Sequence, residues 1–272
     1  MAINADSRRR TVEESVVLAM DGTDAALYPY LPYILQDIWQ IGASPDLIIQ
    51  VLRRRVSRKA GFRLLDLGCG TGLTSMYLAR QFDVQVFATD LWIAAGDNWR
   101  RFQDRGFEKQ IVPIHAEATQ LPYAEKYFDA VISVDSFHYF GPWEGYLENS
   151  LAPLVRSGGI IAVAVPGLQR DFPGLAPGYI TDKDCGDLAG VPPELRPFWV
   201  PGMNFFSCRW WEELWRRCPA VKLERCWSLD CHQAAWRDWL ACEHPYAVSD
   251  REMMKAEAGK YFNTAGLIAR VK

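Results

Sequence analysis

Two kinds of hydrophobic pattern alternate along the chain from residue 62 onward. Short runs that suit strands lie at 62–67, 84–89, 111–114, 128–134, 160–165, 221–229 and 263–271, and the run at 128–134 is apolar on both strand faces. Segments whose apolar residues recur at helical spacing lie at 73–82, 95–105, 143–154, 209–217, 233–241 and 249–258. Because strands that alternate with helices form a parallel sheet covered on both faces, the pattern predicts a doubly wound α/β fold with a mostly parallel, seven-stranded sheet.

Three segments depart from this alternation. Residues 1–43 combine aromatic residues with prolines, and residues 167–206 are rich in proline, glycine, aspartate and aromatic side chains. A third segment, near 230–260, is helical and separates the last two strands. Open α/β sheets bind ligands at the carboxyl ends of their strands, which such segments can cover. We therefore expect an N-terminal lid at 1–43 and a ligand-binding domain at 44–272 with helical and aromatic lid insertions. Pocket-lining side chains are expected at Tyr28, Tyr30 and Tyr33.

Glycines at alternate positions follow the first apolar run. The string LDLGCGTG occupies residues 65–72 and leads directly into a helical segment. A strand, a glycine turn and a helix together present backbone N–H groups to a ligand at the helix N-terminus. A dinucleotide fingerprint would need its third glycine at the position of Leu73, and the lysine of a triphosphate-binding loop is missing. The spacing therefore disfavours a nicotinamide-dependent oxidoreductase, which stays the weaker enzymatic alternative.

An acidic residue ends the second predicted strand. Asp90 lies about 20 residues beyond the glycine turn, where a carboxylate can accept hydrogen bonds from both ribose hydroxyls of an adenosine. Leu91 and Trp92 follow it and are placed to pack against an adenine ring, although Trp92 suits an ordinary core position equally well. An exposed acid at a strand end is the structural alternative for Asp90. With the glycine turn upstream, the position favours adenosine binding.

Two further strings complete a family pattern. Residues 116–123 read AEATQLPY, and residues 127–140 read YFDAVISVDSFHYF. Together with the glycine string, and in the same order, they resemble the motifs of class I S-adenosylmethionine-dependent methyltransferases. The resemblance is to the small-molecule type of ubiquinone and menaquinone biosynthesis, and it covers about residues 60–165. Ala116 and Glu117 stand where that family has glycine and aspartate.

The resemblance implies a Rossmann-like class I methyltransferase fold and a cofactor, S-adenosyl-L-methionine. In this family the acid at the position of Glu117 accepts from the adenine amino group, and Asp129 at a strand start is structural. The cofactor-binding residues that the resemblance implies are Asp66, Gly68, Cys69, Gly70, Gly72, Asp90, Leu91, Trp92, Glu117, Ala118 and Val134.

The implied reaction moves a methyl group from the cofactor to a small-molecule acceptor. Methyl transfer from a sulfonium is an in-line displacement, so the protein mainly needs to hold the acceptor close, aligned and dry. The turn after the central strand is expected to face the acceptor, with Asp135 and His138 as catalytic candidates and Tyr139 as a substrate contact. His138 can take a proton near neutral pH, or it can serve only to cap a helix or bind a backbone carbonyl. No metal ligands are expected.

Composition and charge narrow the expected partners. The net charge of −3 gives no basic field for nucleic acid, and no apolar run approaches the length that spans a bilayer. The seven cysteines contain no C-x-x-C pair, so a cytoplasmic protein without a zinc site or a disulfide framework is expected. Whether the protein is a monomer or a homodimer stays open. The non-enzymatic alternative is a regulatory protein that binds the cofactor without turnover, and the acid set Asp66, Asp90 and Glu117 argues against it.

Overall fold

A computed structural model describes residues 61–230, 232–241 and 245–272. The lid expected at 1–43, with Tyr28, Tyr30 and Tyr33, lies outside the described residues. Within the described residues, no helix combines the length and the apolar character needed to cross a membrane.

An eight-stranded sheet forms the centre of the described structure. Its strands are β1 Arg63–Leu67, β2 Gln85–Asp90, β3 Ile111–His115, β4 Phe128–Val134, β5 Val155–Leu168, β6 Phe206–Ser207, β7 Val221–Ser228 and β8 Phe262–Val271. Their order is β3-β2-β1-β4-β5-β8-β7, and the two-residue β6 pairs with β5 off that path. β8 runs antiparallel to both of its neighbours, and the other pairs are parallel. The predicted α/β sheet is confirmed, with β6 as a short addition.

Five α-helices lie among the described residues. They are α1 Leu73–Phe82, α2 Ala95–Asp104, α3 Cys208–Arg217, α4 His232–Leu240 and α5 Pro245–Glu257. The helical segment predicted at 143–154 is confirmed over 147–154, where the chain forms a π-helical turn at Leu147–Leu151 and a 3-10 turn at Ala152–Leu154 rather than an α-helix. Pro153 has no N–H to donate and its ring clashes with the preceding turn, which prevents a regular α-helix.

The central strands are buried on both faces, and alternate residues enter different cores. One face packs against α1, α2, α4 and α5, with Leu64 and Ile132 from the sheet and Phe102 from α2. The other face packs against α3, whose Trp211 and Trp215 are fully buried. Burial on both faces is also the physical reason for the continuous apolar runs in the sequence.

A third hydrophobic cluster lies between the end of β5 and helix α5. Its buried members are Leu168, Phe172, Val191, Leu195, Trp199, Phe205, Met253 and Phe262. Met253 belongs to α5, so the segment between β5 and β6 packs on the helical segment between β7 and β8. From residue 169 to 205, the 3-10 turn Arg196–Phe198 is the regular element that the structure shows. Side-chain packing rather than regular hydrogen bonding therefore organises this insertion.

Candidate active site

The glycine turn after β1 has a left-handed backbone. The φ angles of Gly68, Gly70 and Gly72 are 74°, 53° and 85°, in a region that residues with a Cβ rarely adopt. A Cβ on Gly68 would lie 2.2 Å from the Ser136 hydroxyl oxygen, and one on Gly72 would lie 2.5 Å from the Phe102 ring. The turn is thus packed between the chain that follows β4 and helix α2. Shape and conformation both require glycine at these two positions.

The Asp90 carboxylate fastens the glycine turn to the end of β2. One of its oxygens accepts from the Gly70 N–H at 2.8 Å. The other accepts from the N–H groups of Trp92 and Ile93, at 2.7 and 2.9 Å. A carboxylate has about four acceptor positions, so these three bonds fix its orientation and leave capacity for a further donor. Asp90 is buried.

Asp66 on β1 is a buried carboxyl group with one unsatisfied oxygen. The Ser75 hydroxyl donates to Oδ2 at 2.6 Å, whereas Oδ1 has no hydrogen-bond partner among the described residues. Burial raises the pKa of Asp66 from 3.8 to about 7, the Ser75 hydrogen bond opposes this shift, and the charge of Asp90 adds to it. A cation or a hydrogen-bond donor brought to this carboxyl group would favour its ionised form.

The segment after β3 lies against the same strand end. The Ala116 N–H donates to the Asp90 carbonyl at 3.1 Å. Glu117 is exposed and accepts a hydrogen bond of 2.6 Å from the Thr119 hydroxyl, whereas Ala118 is buried. The second family string is thereby placed next to the strand end that carries Asp90.

Two large apolar side chains at the end of β2 are exposed. The exposed fractions of Leu91 and Trp92 are 50% and 59%. The Trp92 ring meets the Tyr139 ring edge-on, with 5.2 Å between their centroids. Because Tyr139 belongs to the turn after β4, this contact joins the region expected to hold adenine to the region expected to hold the acceptor. Exposed apolar groups beside oriented polar groups are typical of ligand sites.

The turn after β4 carries a second carboxyl group with a raised pKa. Val134 ends the strand in a buried position, and Asp135 follows with a φ of 56° and an N–H that donates to the Ala164 carbonyl at 2.8 Å. Burial raises the pKa of Asp135 from 3.8 to about 7, and the charge of Asp250 on α5 adds to this shift. Burial also raises the pKa of Tyr139, followed by the charges of Asp135 and Asp250. Asp250 therefore belongs to the same electrostatic environment, which the sequence did not indicate.

His138 is buried against the insertion between β5 and β6. Its exposed fraction is 3%, and its ring lies 3.9 Å from that of Tyr139 and 6.0 Å from that of Phe205, between centroids. The Asn204 side-chain N–H donates to the His138 carbonyl at 2.9 Å. Burial lowers the pKa of His138 to about 3, and Nδ1 has no partner in the part of the chain that the structure describes. The imidazole is therefore neutral at physiological pH.

Two polar residues that support the glycine turn were not among the predicted site residues. Asn98 on α2 is buried, and its side-chain N–H donates to the Gly70 carbonyl at 2.8 Å and lies 3.7 Å from Cys69 Sγ. The Ser136 hydroxyl donates to the Leu67 carbonyl at 2.9 Å. A polar residue in a helical pattern indicates a solvent-facing position, so nothing in the sequence singled out Asn98. Ser136 lies two residues after the end of β4, and that place near a strand end could have indicated it.

The predicted site residues that the structure describes gather at one edge of the sheet. They lie at the carboxyl ends of β1 to β4 or in the turns that follow these strands: Asp66, Gly68, Cys69, Gly70, Gly72, Asp90, Leu91, Trp92, Glu117, Ala118, Val134, Asp135, His138 and Tyr139. This edge is where open α/β sheets bind ligands. Their individual roles stay predictions.

A family model described as a methyltransferase domain matches residues 65–163. This segment is a methyltransferase domain. The methyltransferase domain contains the glycine turn, Asp90, and the turn after β4, and all three strings that carried the resemblance fall within it.

Two curated relatives each match about half of the chain. The chain is 32% identical to 27-O-demethylrifamycin SV methyltransferase of Amycolatopsis mediterranei (strain S699) over 124 residues, which are 42% of this chain and 44% of that protein. It is 28% identical to Methyltransferase GfsG of Streptomyces halstedii over 143 residues, which are 52% of this chain and 51% of that protein. The chain thus spans about half the length of the curated relatives that it matches.

Solved structures share the architecture over a longer span. Geranyl diphosphate C-methyltransferase from Streptomyces coelicolor A3(2), in complex with Mg²⁺, geranyl diphosphate and S-adenosyl-L-homocysteine, superposes with a TM-score of 0.63. The match covers 83% of this chain and 78% of that one at 13% identity, so it concerns the fold alone. The methyltransferase domain has the class I, Rossmann-like fold that the sequence predicted.

Proposed function

We propose that the protein transfers a methyl group from S-adenosyl-L-methionine to a small-molecule acceptor by in-line displacement, in the cytoplasm. The observation that carries this proposal is the methyltransferase-domain match, because residues 65–163 also supply the glycine turn, Asp66 and Asp90. The relative from Amycolatopsis acts, by its name, on a small molecule, which supports an acceptor of that class.

The polar groups at the sheet edge fit an adenosine that carries a sulfonium. Asp90 has acceptor capacity left for a ribose hydroxyl, and the exposed Glu117 can accept from the adenine amino group. Leu91 and Trp92 offer apolar surface to the adenine ring. The unpartnered Oδ1 of Asp66 is a buried acceptor that a donor or a positive charge would satisfy. All four features of the site are therefore compatible with bound S-adenosyl-L-methionine.

Catalysis would rest on alignment and on exclusion of water. The cofactor supplies an excellent leaving group when bound, so the chain has to hold the acceptor atom in line and keep the site dry. We assign the acceptor to the turn after β4, beside Asp135 and Tyr139. The insertion at 167–206 is assigned the role of a lid, and the support for this is the Asn204 hydrogen bond to the His138 carbonyl.

Asp135 is the better candidate than His138 for a proton acceptor. A general base works best when its pKa lies near the operating pH, and the pKa values of Asp135 and His138 are about 7 and about 3. We therefore assign His138 a positioning role. His138→Ala is expected to lower the melting temperature and to recover activity on cooling. A loss of turnover of about 10²-fold at unchanged melting temperature would instead restore His138 as the base.

Calorimetry and a turnover assay test the proposed function. S-adenosyl-L-methionine and S-adenosyl-L-homocysteine are each expected to give a binding isotherm with the purified protein, and NADH is expected to give none. Transfer of radiolabelled methyl groups to members of a small-molecule panel then separates an enzyme from a regulatory binder. Binding of NADH alone would favour the oxidoreductase, and cofactor binding without transfer to any class of acceptor would favour the non-catalytic alternative.

A further inference from the structure

Two cysteines outside the methyltransferase site face each other at the edge of the sheet. Cys208 is the first residue of α3, and Cys226 lies on the edge strand β7. Both are free thiols that are partly exposed. The Cys226 thiol donates to the Cys208 carbonyl at 3.2 Å, so the two cysteine residues are in direct contact. Solvent can therefore reach both thiols of two cysteines that are already in contact.

Hydrogen-bond donors converge on the Cys208 sulfur. The Ser228 hydroxyl lies 3.7 Å from Cys208 Sγ, and the Asn263 side-chain nitrogen lies 3.9 Å from it. Asn263 is 9% exposed, and its Oδ1 has no partner within the described ranges. The same side chain donates to the Ser228 hydroxyl at 2.7 Å, which fixes the orientation of both groups. A buried amide and a hydroxyl directed at one sulfur stabilise a negative charge there.

The N-terminus of α3 adds to this stabilisation. Ser207 caps the helix by accepting from the Trp210 N–H at 3.2 Å, and no acidic residue lies in the first turn. The partial positive charge of a helix N-terminus favours a thiolate at the first helical position. Cys208 thus receives side-chain donors and the helix dipole at the same atom.

The other described cysteines lack this combination. The neighbouring Cys226 thiol, and then the hydrogen bonds from Ser228 and Asn263, lower the pKa of Cys208 below its usual range, and burial and the charge of Glu212 oppose them. Burial raises the pKa of the thiols at Cys69, Cys185 and Cys218. Cys208 is therefore the thiol that we expect to ionise first among the described cysteines.

We propose that Cys208 and Cys226 form a nucleophilic thiol pair that reacts with low-molecular-weight disulfides and closes to an internal disulfide. The Cys208 thiolate attacks one sulfur of the small disulfide, whose S–S bond breaks, and the first small thiolate leaves with the electron pair. Deprotonated Cys226 then attacks the Cys208 sulfur and expels the second small thiolate. The pair loses two electrons and two protons, and the small disulfide is reduced to two thiols.

The two cysteines have different parts in this sequence. In the reduced pair, the hydrogen bond to Cys208 raises the pKa of Cys226, so Cys226 keeps its proton while Cys208 attacks. Once Cys208 is in a mixed disulfide, its charge is gone, and the pKa of Cys226 falls back toward the ordinary value for a thiol. The first step therefore prepares the second.

Intact-mass spectrometry of the full chain with oxidised glutathione at neutral pH tests the proposal. The wild-type protein is expected to lose the mass of two hydrogens, with the new bond mapped between Cys208 and Cys226. Cys226→Ser is expected to stop at the mixed disulfide and retain one glutathione, and Cys208→Ser to lose the fast reaction. The control Cys218→Ser, which changes a thiol at the other end of α3, is expected to react like the wild type.

A second measurement uses only the wild-type protein, so its result does not depend on whether a variant folds. Iodoacetamide alkylation of the wild-type protein over a range of pH, read by peptide mapping, is expected to label Cys208 at a lower pH than Cys218. The proposal is overturned if Cys218 ionises first or if the internal bond maps to another pair. It is also overturned if the wild-type protein accumulates the glutathione adduct instead of the internal disulfide.

Discussion

At the scale of single residues, Asp90 combines a structural and a binding task. We expect Asp90→Ala to weaken S-adenosyl-L-methionine binding by about 1.5–3 kcal/mol, because a charge-assisted acceptor is lost. Isothermal titration calorimetry measures the change. The control is Asp97→Ala. Asp97 also carries a carboxylate, and its side chain, on α2, is 49% exposed. A folded Asp90→Ala protein with the affinity of the wild type would contradict the assignment to ribose.

Asp135 makes the stability of the protein depend on pH. Its pKa is about 7 in the folded protein against an ordinary 3.8. Below about pH 4 both the folded and the unfolded state hold the proton, and the carboxyl group favours neither state. As the pH rises toward about 7, the unfolded state ionises first, so Asp135 increasingly destabilises the folded state, and above that pH the full penalty remains.

The variant Asp135→Asn should remove this dependence while keeping a residue that tolerates a positive φ. It is expected to gain stability relative to the wild type between about pH 4 and 7, by at most about 1.4 kcal/mol per pH unit. Urea unfolding at several pH values gives the difference in free energy of unfolding. Asp187→Asn, in an exposed turn, serves as the control. A difference between Asp135→Asn and wild type that stays constant with pH would rule out the raised pKa.

At the scale of elements, the glycine turn can be compared with another left-handed glycine. Gly72 and Gly106 have φ angles of 85° and 74°, but a Cβ on Gly106 would meet nothing within 4 Å. Gly106→Ala is expected to cost about 1–2 kcal/mol from backbone strain alone. Gly72→Ala should cost about 1–3 kcal/mol more, because its Cβ would overlap the Phe102 ring. If urea unfolding showed the same loss in free energy of unfolding for both variants, the backbone at Gly72 would be able to shift and accommodate the added Cβ.

The same scale shows why some elements were predictable and others were not. Strands β1, β2 and β4 are buried on both faces, so their apolar runs and the glycine turn carried a local signal. The turn at Leu147–Leu151 carried a helical pattern that Pro153 interrupts. Strand β5 extends from Val155 to Leu168 beyond its apolar centre, because pairing with β4, β8 and β6 rather than composition sets its length.

Site residues that belong to one local sequence motif could be predicted. Site residues that the fold brings together from distant parts of the chain could not. Asp66 and Asp90 follow from their places at strand ends. Asp250 and Asn204 come from α5 and the insertion, far along the chain from the turn after β4 that they influence. Their contribution depends on packing within the third hydrophobic cluster, and no local pattern encodes such packing.

At the scale of the whole molecule, the N-terminal segment is predicted to cover the acceptor. Deletion of residues 1–40 is expected to abolish methyl transfer while the remaining sheet still binds S-adenosyl-L-methionine, at least weakly. Radiolabel transfer and calorimetry on the same preparation separate the two effects. Full activity in the truncated protein would show that the segment is not a lid, and failure to fold would assign it to the core.

The position of β8 has a consequence for how the chain acquires its structure. β8 lies between β5 and β7, and Ile160 of β5 pairs with Arg270 across most of the second half of the chain. Such distant pairing slows folding, because the entropy of closing the long loop is lost before the contacts form. During synthesis, β5 has an open edge until residues 262–271 emerge, and among the described strands β7 pairs with β8 alone. The nascent chain is therefore most prone to mispairing and most dependent on chaperones just before β8 is made.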